Sequence, residues 1–363
     1  MENMGLKEGF WQGKRVLVTG HTGFKGSWLS IWLQKMGAEV TGYSLAPLTQ
    51  QDNFVVSSLA SRMVHVEGDI LDTEKLEKVF AQSAPEIVFH LAAQPLVRLS
   101  YEQPKVTYEV NVIGTLNVLE AIRKTASVKV AVMITTDKCY ENKETSRGYK
   151  ESDPLGGYDP YSSSKACAEI LIASYRNSYF SDKESAAIAS VRAGNVIGGG
   201  DWAKDRIVPD CIRALQSGRP VRLRNPDAVR PWQFVLEPLR GYLMLAEGLW
   251  EQAGQYRSGW NFGPQEDTLA TVRTVAEAVV RNYGSGSIEV EQLANEPHEA
   301  GLLCLDITKA REVLGWQPVL NLEETVRMTV EWYRDYHSRD SYTLCLAQIE
   351  AYLEKCRDGY SAE

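Results

Sequence analysis

Metal and disulfide chemistry have little to work with in this sequence. Its six cysteines, Cys139, Cys167, Cys211, Cys304, Cys345 and Cys356, are scattered over 363 residues without a C-x-x-C pair. Free thiols in a reducing compartment are therefore expected, not a disulfide framework. The five histidines, His21, His65, His90, His298 and His337, form no H-x-x-x-H or Cys/His spacing, so no metal site is expected. No run approaches the ~20 apolar residues of a membrane span. Residues 1–9, with Glu2, Lys7 and Glu8, have no apolar signal-like stretch, and a cytoplasmic location is expected. Excess positive charge is also lacking: the net charge is -8 and the sequence pI about 5.4. This argues against nucleic acid or an anionic membrane as partner. A small anionic substrate stays open, because a local group of arginines overrides the global sign. There is no internal repeat and no low-complexity segment.

What is present is alternation. Arg15–Thr19, Glu39–Tyr43, Met63–Val66, Glu86–Leu91, Val128–Thr135 and Ala186–Val191 read as short buried strands. Between them lie amphipathic stretches: Gly26–Met36, Thr73 to about Gln82, a long helix from Pro104 to about Lys124, and Tyr161–Phe180. This rhythm predicts right-handed βαβ units and a doubly wound parallel α/β sheet of the Rossmann type. In such sheets ligands bind beyond the carboxyl ends of the strands. After Val196 the rhythm breaks at Gly198-Gly199-Gly200, and proline and tryptophan become frequent up to Pro238. The expected organisation is a nucleotide-binding domain over 1–198, with returning segments near 236–265. A smaller C-terminal substrate-binding lobe is expected over 199–235 and 266–363.

Gly20-x-x-Gly23-x-x-Gly26 follows the first strand and opens a helix. Glycines there permit a tight turn and close approach of backbone to a pyrophosphate, and the helix N-terminus adds N–H groups and partial positive charge. Gly20, Thr22, Gly23, Phe24, Lys25 and Gly26 are thus the expected dinucleotide phosphate loop. Asp69 and Ile70, ending the third strand, suit an adenine edge. Leu91, Ala92 and Ala93, ending the fourth, would let backbone lie against the cofactor. The second strand ends at Ser44 with no arginine beside it to hold a 2′-phosphate, so NAD is expected over NADP.

Tyr161-Ser-Ser-Ser-Lys165 puts a phenol and an ammonium at i and i+4 on one helix face. A nearby cation favours the phenolate, which then serves as a base towards a hydroxyl as hydride leaves the same carbon. Thr135-Thr136-Asp137-Lys138 ends the fifth strand and adds a hydroxyl, an acid and an amine.

With these residues the chain resembles the extended short-chain dehydrogenase/reductase family, and within it the nucleotide-sugar 4,6-dehydratases. The resemblance runs from about Trp11 into the C-terminal lobe. It is carried by Val18–Trp28, Thr135–Asn142 and Asp153–Lys165, which look like the members acting on CDP-glucose. It implies a three-step reaction: oxidation at C4 with Tyr161 as base, loss of water across C5 and C6, and hydride return to C6. The implied triad is Thr136, Tyr161 and Lys165, with Asp137 protonating the leaving water. Members acting on dTDP-glucose carry Glu where this chain has Lys138. Two readings of Lys138 stay open: a deprotonated base towards C5, or a cation stabilising the enolate. The resemblance also implies a homodimer or dimer of dimers through the helices Pro104–Lys124 and Tyr161–Phe180, and products that feed deoxyhexoses of bacterial surface polysaccharides.

Candidate contacts to the nucleotide-sugar are Gln94 and Arg98 beyond the fourth strand, and Asn195 and Arg206 beyond the sixth. Arg222, Arg224, Arg230 and Gln233, beside Trp232, suit a diphosphate and base. Glu296-Pro-His298 resembles a late nucleotide-contacting loop. A 4-epimerase would share Tyr161 and Lys165 but need no acid at 137. A non-catalytic dinucleotide-sensing module would need neither pair.

Overall fold

The computed structural model describes residues 5–361 apart from 146, 183, 265–268 and 291–301. Seven strands form the central sheet: β1 (Arg15–Thr19), β2 (Glu39–Ser44), β3 (Val64–Glu67), β4 (Ile87–His90), β5 (Val130–Ile134), β6 (Ala187–Ala193) and β7 (Gly259–Phe262). Their order is β7-β6-β5-β4-β1-β2-β3, and every pairing is parallel. β4, β5 and β6 are buried along their whole length, as expected of strands covered on both faces. The edge strand β3 is only partly buried. The strand order reverses between β1 and β4, and there the loops after both strands meet. This is where a doubly wound sheet opens its ligand crevice.

Two cores flank the sheet. One gathers Leu17, Val88, Ala131 and Ile188 with the helices on one face. The larger one takes the alternate residues Val16, Val18, Phe89 and Val132 and runs on into the second lobe. The helix Leu236–Tyr256 returns to the sheet beneath β5 and β6. Its Glu237 and Arg240 are buried and both bind the hydroxyl of Tyr352. Tyr352 belongs to the last helix, Ser341–Ser361, which packs on the first helix, Phe24–Lys35. The last helix thus covers the first.

The smaller lobe is held by short pairings: Val196–Ile197 with Gln233–Phe234, Val229–Arg230 with Ala270–Thr271, and Val221–Leu223 with Ile288–Val290. Gly199 anchors it. A Cβ there would fall inside the Trp332 ring, and its carbonyl accepts from Trp28 Nε1 at 2.9 Å.

One element departs from its expected form. The helix after Pro104 is not uniformly α: Pro104–Tyr108 and Thr115–Lys124 are α-helical, whereas Glu109–Gly114 takes a π turn. Buried Asn111 lies in that turn. Its amide donates to the Gln94 carbonyl at 3.1 Å and to Ser164 Oγ at 2.9 Å, and its Oδ1 accepts from Gln94 N–H at 2.9 Å. A wider turn that aims one polar side chain at neighbouring elements is a common use of this geometry near functional sites.

Candidate active site

The loop after β1 is shaped for contact with a ligand backbone. Gly20 has φ +75°, and a Cβ on it would stand 2.6 Å from Ala92 N. A Cβ on Gly26 would fall inside the Gly20 carbonyl. Both positions therefore need glycine to bring β1, the helix and the loop after β4 together. The helix begins at Phe24 with Gly23 as N-cap and no capping side chain, so its first turn is open to an anion. Thr22 Oγ1 bonds Ser44 Oγ at 2.8 Å, tying the loop to the end of β2. Asp69 Oδ1 accepts from Leu71 N–H at 2.9 Å. The Ile70 side chain is tucked against Gly114, so a ligand would meet that segment through Asp69 and the backbone. This glycine cradle and uncapped helix fit a dinucleotide pyrophosphate.

Beyond the loop lies a cleft of about 890 Å³ between the lobes. Phe24, Lys25, Leu91 and Ala93 line its floor, and Thr136, Asp137, Lys138, Tyr161, Lys165 and Asn195 its wall. Tyr161 and Lys165 stand on the helix Pro160–Ser178. Pro160 occupies its first turn, and Asp159 caps it by accepting from Ser162 N–H at 2.9 Å. These are favourable helix-start signals, and they fix where the phenol emerges.

Tyr161 and Lys165 are both buried. Burial pushes the phenol up to about 12, while a hydrogen bond with Thr136 and the nearby Arg206 pull it down. The sequence argument gave the lowering to Lys165. Desolvation outweighs the cations, and the leading counterweight is Thr136. Burial lowers Lys165 to about 8, opposed chiefly by the Glu169 carboxylate.

Asp137 is wholly buried. Its Oδ1 accepts from Thr136 Oγ1 at 2.9 Å and from Lys138 Nζ at 3.2 Å, whereas its Oδ2 is buried without a hydrogen-bond partner. Lys138 Nζ also donates to Asn195 Oδ1 at 3.2 Å. Lys25, half-buried below, is lowered to about 7 by desolvation and then by Lys165 and Arg206, with Asp137 acting against them. Four basic side chains, Lys25, Lys138, Lys165 and Arg206, thus gather at the cleft of an acidic chain, with Asp137 among them.

The nucleotide-sugar candidates divide. Arg98, Arg206, Arg222, Arg224 and Arg230 line the same cleft. Arg206 pairs with Asp201 at 2.8 Å. Arg224 and Arg98 both reach Asp205 Oδ1, at 2.8 and 3.9 Å. Gln94 and Gln233 do not face the cleft. The Gln94 amide is consumed by the backbone of Leu96 and by Thr107 Oγ1. The Gln233 amide donates to the Phe262 carbonyl at 3.0 Å. Both side-chain nitrogens hold neighbouring loops, and Gln233 Oε1 is buried without a hydrogen-bond partner. His298 lies outside the described residues.

Sequence reasoning missed Asn111, Glu169 and Arg192, which is buried and pairs with Glu169 at 2.7 Å. Asn111 carried a usable signal, since it is a polar residue on the apolar side of a helix. Among the described residues no three His, Cys, Asp or Glu side chains group to hold a metal, and no helix is long and apolar enough to cross a membrane.

The parallel sheet, the glycine cradle and the buried Tyr161/Lys165 pair at one cleft define a dinucleotide-dependent enzyme of the extended short-chain dehydrogenase/reductase class. Within it, the chain belongs to the GDP-mannose 4,6 dehydratase family, whose model matches residues 17–329. It is 48% identical to a CDP-glucose 4,6-dehydratase of Salmonella typhimurium, over 94% of this chain and 96% of that one. A UDP-glucose 4-epimerase of Mycolicibacterium smegmatis is 29% identical over 88% of this chain and 99% of its own. Among solved structures, the Thermus thermophilus UDP-glucose 4-epimerase in complex with NAD superposes with a TM-score of 0.75 at 28% identity, covering 88% of this chain and 98% of that one.

Proposed function

We propose that this chain is a NAD-dependent hydro-lyase converting CDP-glucose to CDP-4-keto-6-deoxyglucose. The observation that carries this reading is the placement of Asp137 and Lys138 in the same cleft wall as Tyr161 and Lys165. A hydride-transfer pair alone serves oxidation or epimerisation. An added buried acid beside it serves loss of water. The 48% identity to a CDP-glucose 4,6-dehydratase supports the same choice.

A bound NAD would supply reversible hydride acceptance, held by the Gly20–Gly26 loop, Asp69 and the backbone of Leu91–Ala93. Tyr161, hydrogen-bonded to Thr136, removes the proton of the sugar 4-hydroxyl. Thr136 and Arg206 already oppose the burial of the phenol, and this reading assigns Lys165, one helical turn away, as the further cation that favours the phenolate. Oxidation at C4 acidifies the C5 proton. Asp137 then protonates the departing 6-oxygen through Oδ2, the oxygen that is buried without a hydrogen-bond partner. Lys138, which donates to Asp137 and Asn195, serves on this reading as the enolate stabiliser and leaves the C5 proton to another group. Arg98, Arg206, Arg222, Arg224 and Arg230 carry the diphosphate and nucleoside.

On this reading the enzyme works in the cytoplasm as a dimer or a dimer of dimers. The helices around Val106, Ile113, Ile170 and Tyr179, which expose these apolar side chains, form the face between copies. The deciding experiment offers CDP-, UDP-, dTDP- and GDP-glucose in turn and follows the alkaline absorbance of a 4-keto sugar. CDP-glucose is expected to react. A response to another nucleotide but not to CDP-glucose would overturn the substrate, and a 4-epimer without a 6-deoxy product would favour the epimerase.

A further inference from the structure

A buried carboxylate behind the catalytic helix takes no part in the steps above. Glu169 stands one turn beyond Lys165 on the helix Pro160–Ser178 and is almost wholly inaccessible. Both of its oxygens are engaged. Oε1 accepts from Thr135 Oγ1 at 2.5 Å, and Oε2 accepts from Ser190 Oγ at 2.9 Å and Arg192 Nη2 at 2.7 Å. Those three donors belong to different parts of the site. Thr135 ends β5 and precedes Thr136 and Asp137. Ser190 and Arg192 lie on β6, which leads to Asn195. Arg192 Nη1 in turn donates to Tyr140 OH at 2.7 Å, which bonds Asn261 Oδ1 on β7 at 2.7 Å. One carboxylate therefore joins the catalytic helix to the two strand ends that carry the remaining site residues.

The charge is also directional. Lys165 is faced by Glu169 from its own helix, by Cys139 from the turn after β5, by His90 at the end of β4 and by Lys25 from the phosphate loop. Burial keeps the Cys139 thiol and the His90 imidazole neutral. Around Glu169 itself stand Arg192, Arg176 and Cys139. Arg192 bonds Glu169 from β6 at 2.7 Å, and the Glu169 charge opposes the lowering of Lys165 by burial.

We infer that Glu169 is a positioning residue for the oxidation step: it provides the anionic counterpart of the Lys165 ammonium and locks the helix bearing Tyr161 to the strand end bearing Thr136 and Asp137. This rests on the proposed dehydratase reading, because it gives Lys165 the task of favouring the Tyr161 phenolate. A purely structural ion pair would hold the fold and leave the lysine's proton affinity alone. The two roles make different predictions. Removing one partner of a buried pair strands the other and is costly, whereas removing both is often tolerated.

The test is the pH profile of hydride transfer in a single turnover of the NAD-loaded enzyme with CDP-glucose, read from the absorbance of reduced nicotinamide, for wild type, Glu169→Gln, Glu169→Asp and the double variant Glu169→Gln/Arg192→Gln. The lysine must be charged, so its titration forms the alkaline limb. Loss of an opposite charge one turn away is expected to move that limb towards lower pH by about one unit. Glu169→Gln is expected to shift it and to melt earlier. The double variant is expected to recover melting temperature yet keep the shifted limb. Glu169→Asp, which retains the charge, is expected to keep the wild-type limb even if it melts earlier. A limb that follows melting temperature instead of charge, or a double variant with the wild-type limb, would overturn the inference. Should the double variant not fold, the contrast between Gln and Asp still decides. A wild-type enzyme that produces neither reduced cofactor nor ketone from CDP-glucose would overturn the underlying reading instead.

Discussion

Replacing Lys138 by Met removes the amine while keeping a side chain of similar length. The structure sets the expected size of the effect. Lys138 Nζ bonds Asp137 and Asn195, each at 3.2 Å, and its side chain is 30% exposed. It is one of four cations at the site, and Lys25, Lys165 and Arg206 remain after the substitution. Loss of one preorganised donor at a developing oxyanion costs about 10²–10³ in rate. Partial exposure and the three remaining cations place this case near the lower end, about 10². The rate alone does not separate stabiliser from base, since removing a general base costs a comparable ~10²–10⁴. Isotope incorporation does. The reaction is run in deuterium oxide, the product isolated, and deuterium at C5 measured by mass spectrometry. As enolate stabiliser, Lys138→Met yields product slowly, and that product carries C5 deuterium like the wild type. If Lys138 is the base, the variant stops after oxidation: reduced nicotinamide accumulates, no 6-deoxy product forms and C5 retains its proton. That second pattern would refute the argument from the two hydrogen bonds.

Tyr161→Phe keeps the buried ring and removes one hydroxyl. Hydride transfer should fall by roughly 10²–10⁴, while thermal unfolding moves by only about 1 kcal/mol, the worth of one hydrogen bond; retained turnover would exclude Tyr161 as the base. Arg224→Leu breaks the 2.8 Å contact with Asp205 at the cleft and should raise KM for the nucleotide-sugar by about tenfold with kcat nearly unchanged, the mark of uniform binding; steady-state kinetics in which kcat alone falls would contradict a binding role. His21 and His90, each lowered to about 3 by burial, should show no titration between pH 8 and 5 in imidazole nitrogen spectra. Linkage gives the sign: their unfolded forms take up protons below about 6.5 while the folded forms do not, so each withdraws about 1.4 kcal/mol of stability per pH unit as pH falls from there towards 3. A midpoint near 6.5 for either ring would mean that it is not buried as described.

The sheet was legible because its signals are local. Each strand is a short β-branched run closed by a turn residue, and the Gly20–Gly26 spacing depends on backbone sterics that only glycine relieves. The Tyr161/Lys165 pair was legible for the same reason, being a matter of helical pitch. Partnership across the fold was not. Gln94 follows β4 just as a substrate-facing residue would, yet Asn111, Thr107 and Leu96 take up its polar groups. The π turn that presents Asn111 has no distinct periodicity in sequence, since a single widened turn shifts the pattern by one residue. Glu169 sits at an ordinary helical spacing from Lys165, and only the folded sheet brings Thr135, Ser190 and Arg192 to it. The direction of the Tyr161 shift failed likewise: sequence shows the cation at i+4 but not the desolvation that exceeds it.

The same distinction explains how an acidic chain builds a cationic cleft. Net charge governs behaviour at distances where salt screens it, beyond about 10 Å at ordinary ionic strength. The site works at closer range and under partial desolvation, where local arrangement decides the field. Lys25 comes from the phosphate loop, Lys138 from the end of β5, Lys165 from the helix that follows and Arg206 from the smaller lobe. No window of sequence holds more than one of them together with the cleft they share. Their mutual repulsion adds to burial at Lys25, which desolvation first and then Lys165 and Arg206 drive down to about 7. Three carboxylates offset it: Asp201 paired with Arg206, Asp137 within the cleft with one oxygen left unpaired, and Glu169 behind Lys165. On the proposed reading Asp137 exchanges a proton, whereas Glu169 is sealed by three donors. Acid and counter-ion are therefore distinguished by hydrogen-bond saturation, a property that residue type does not encode.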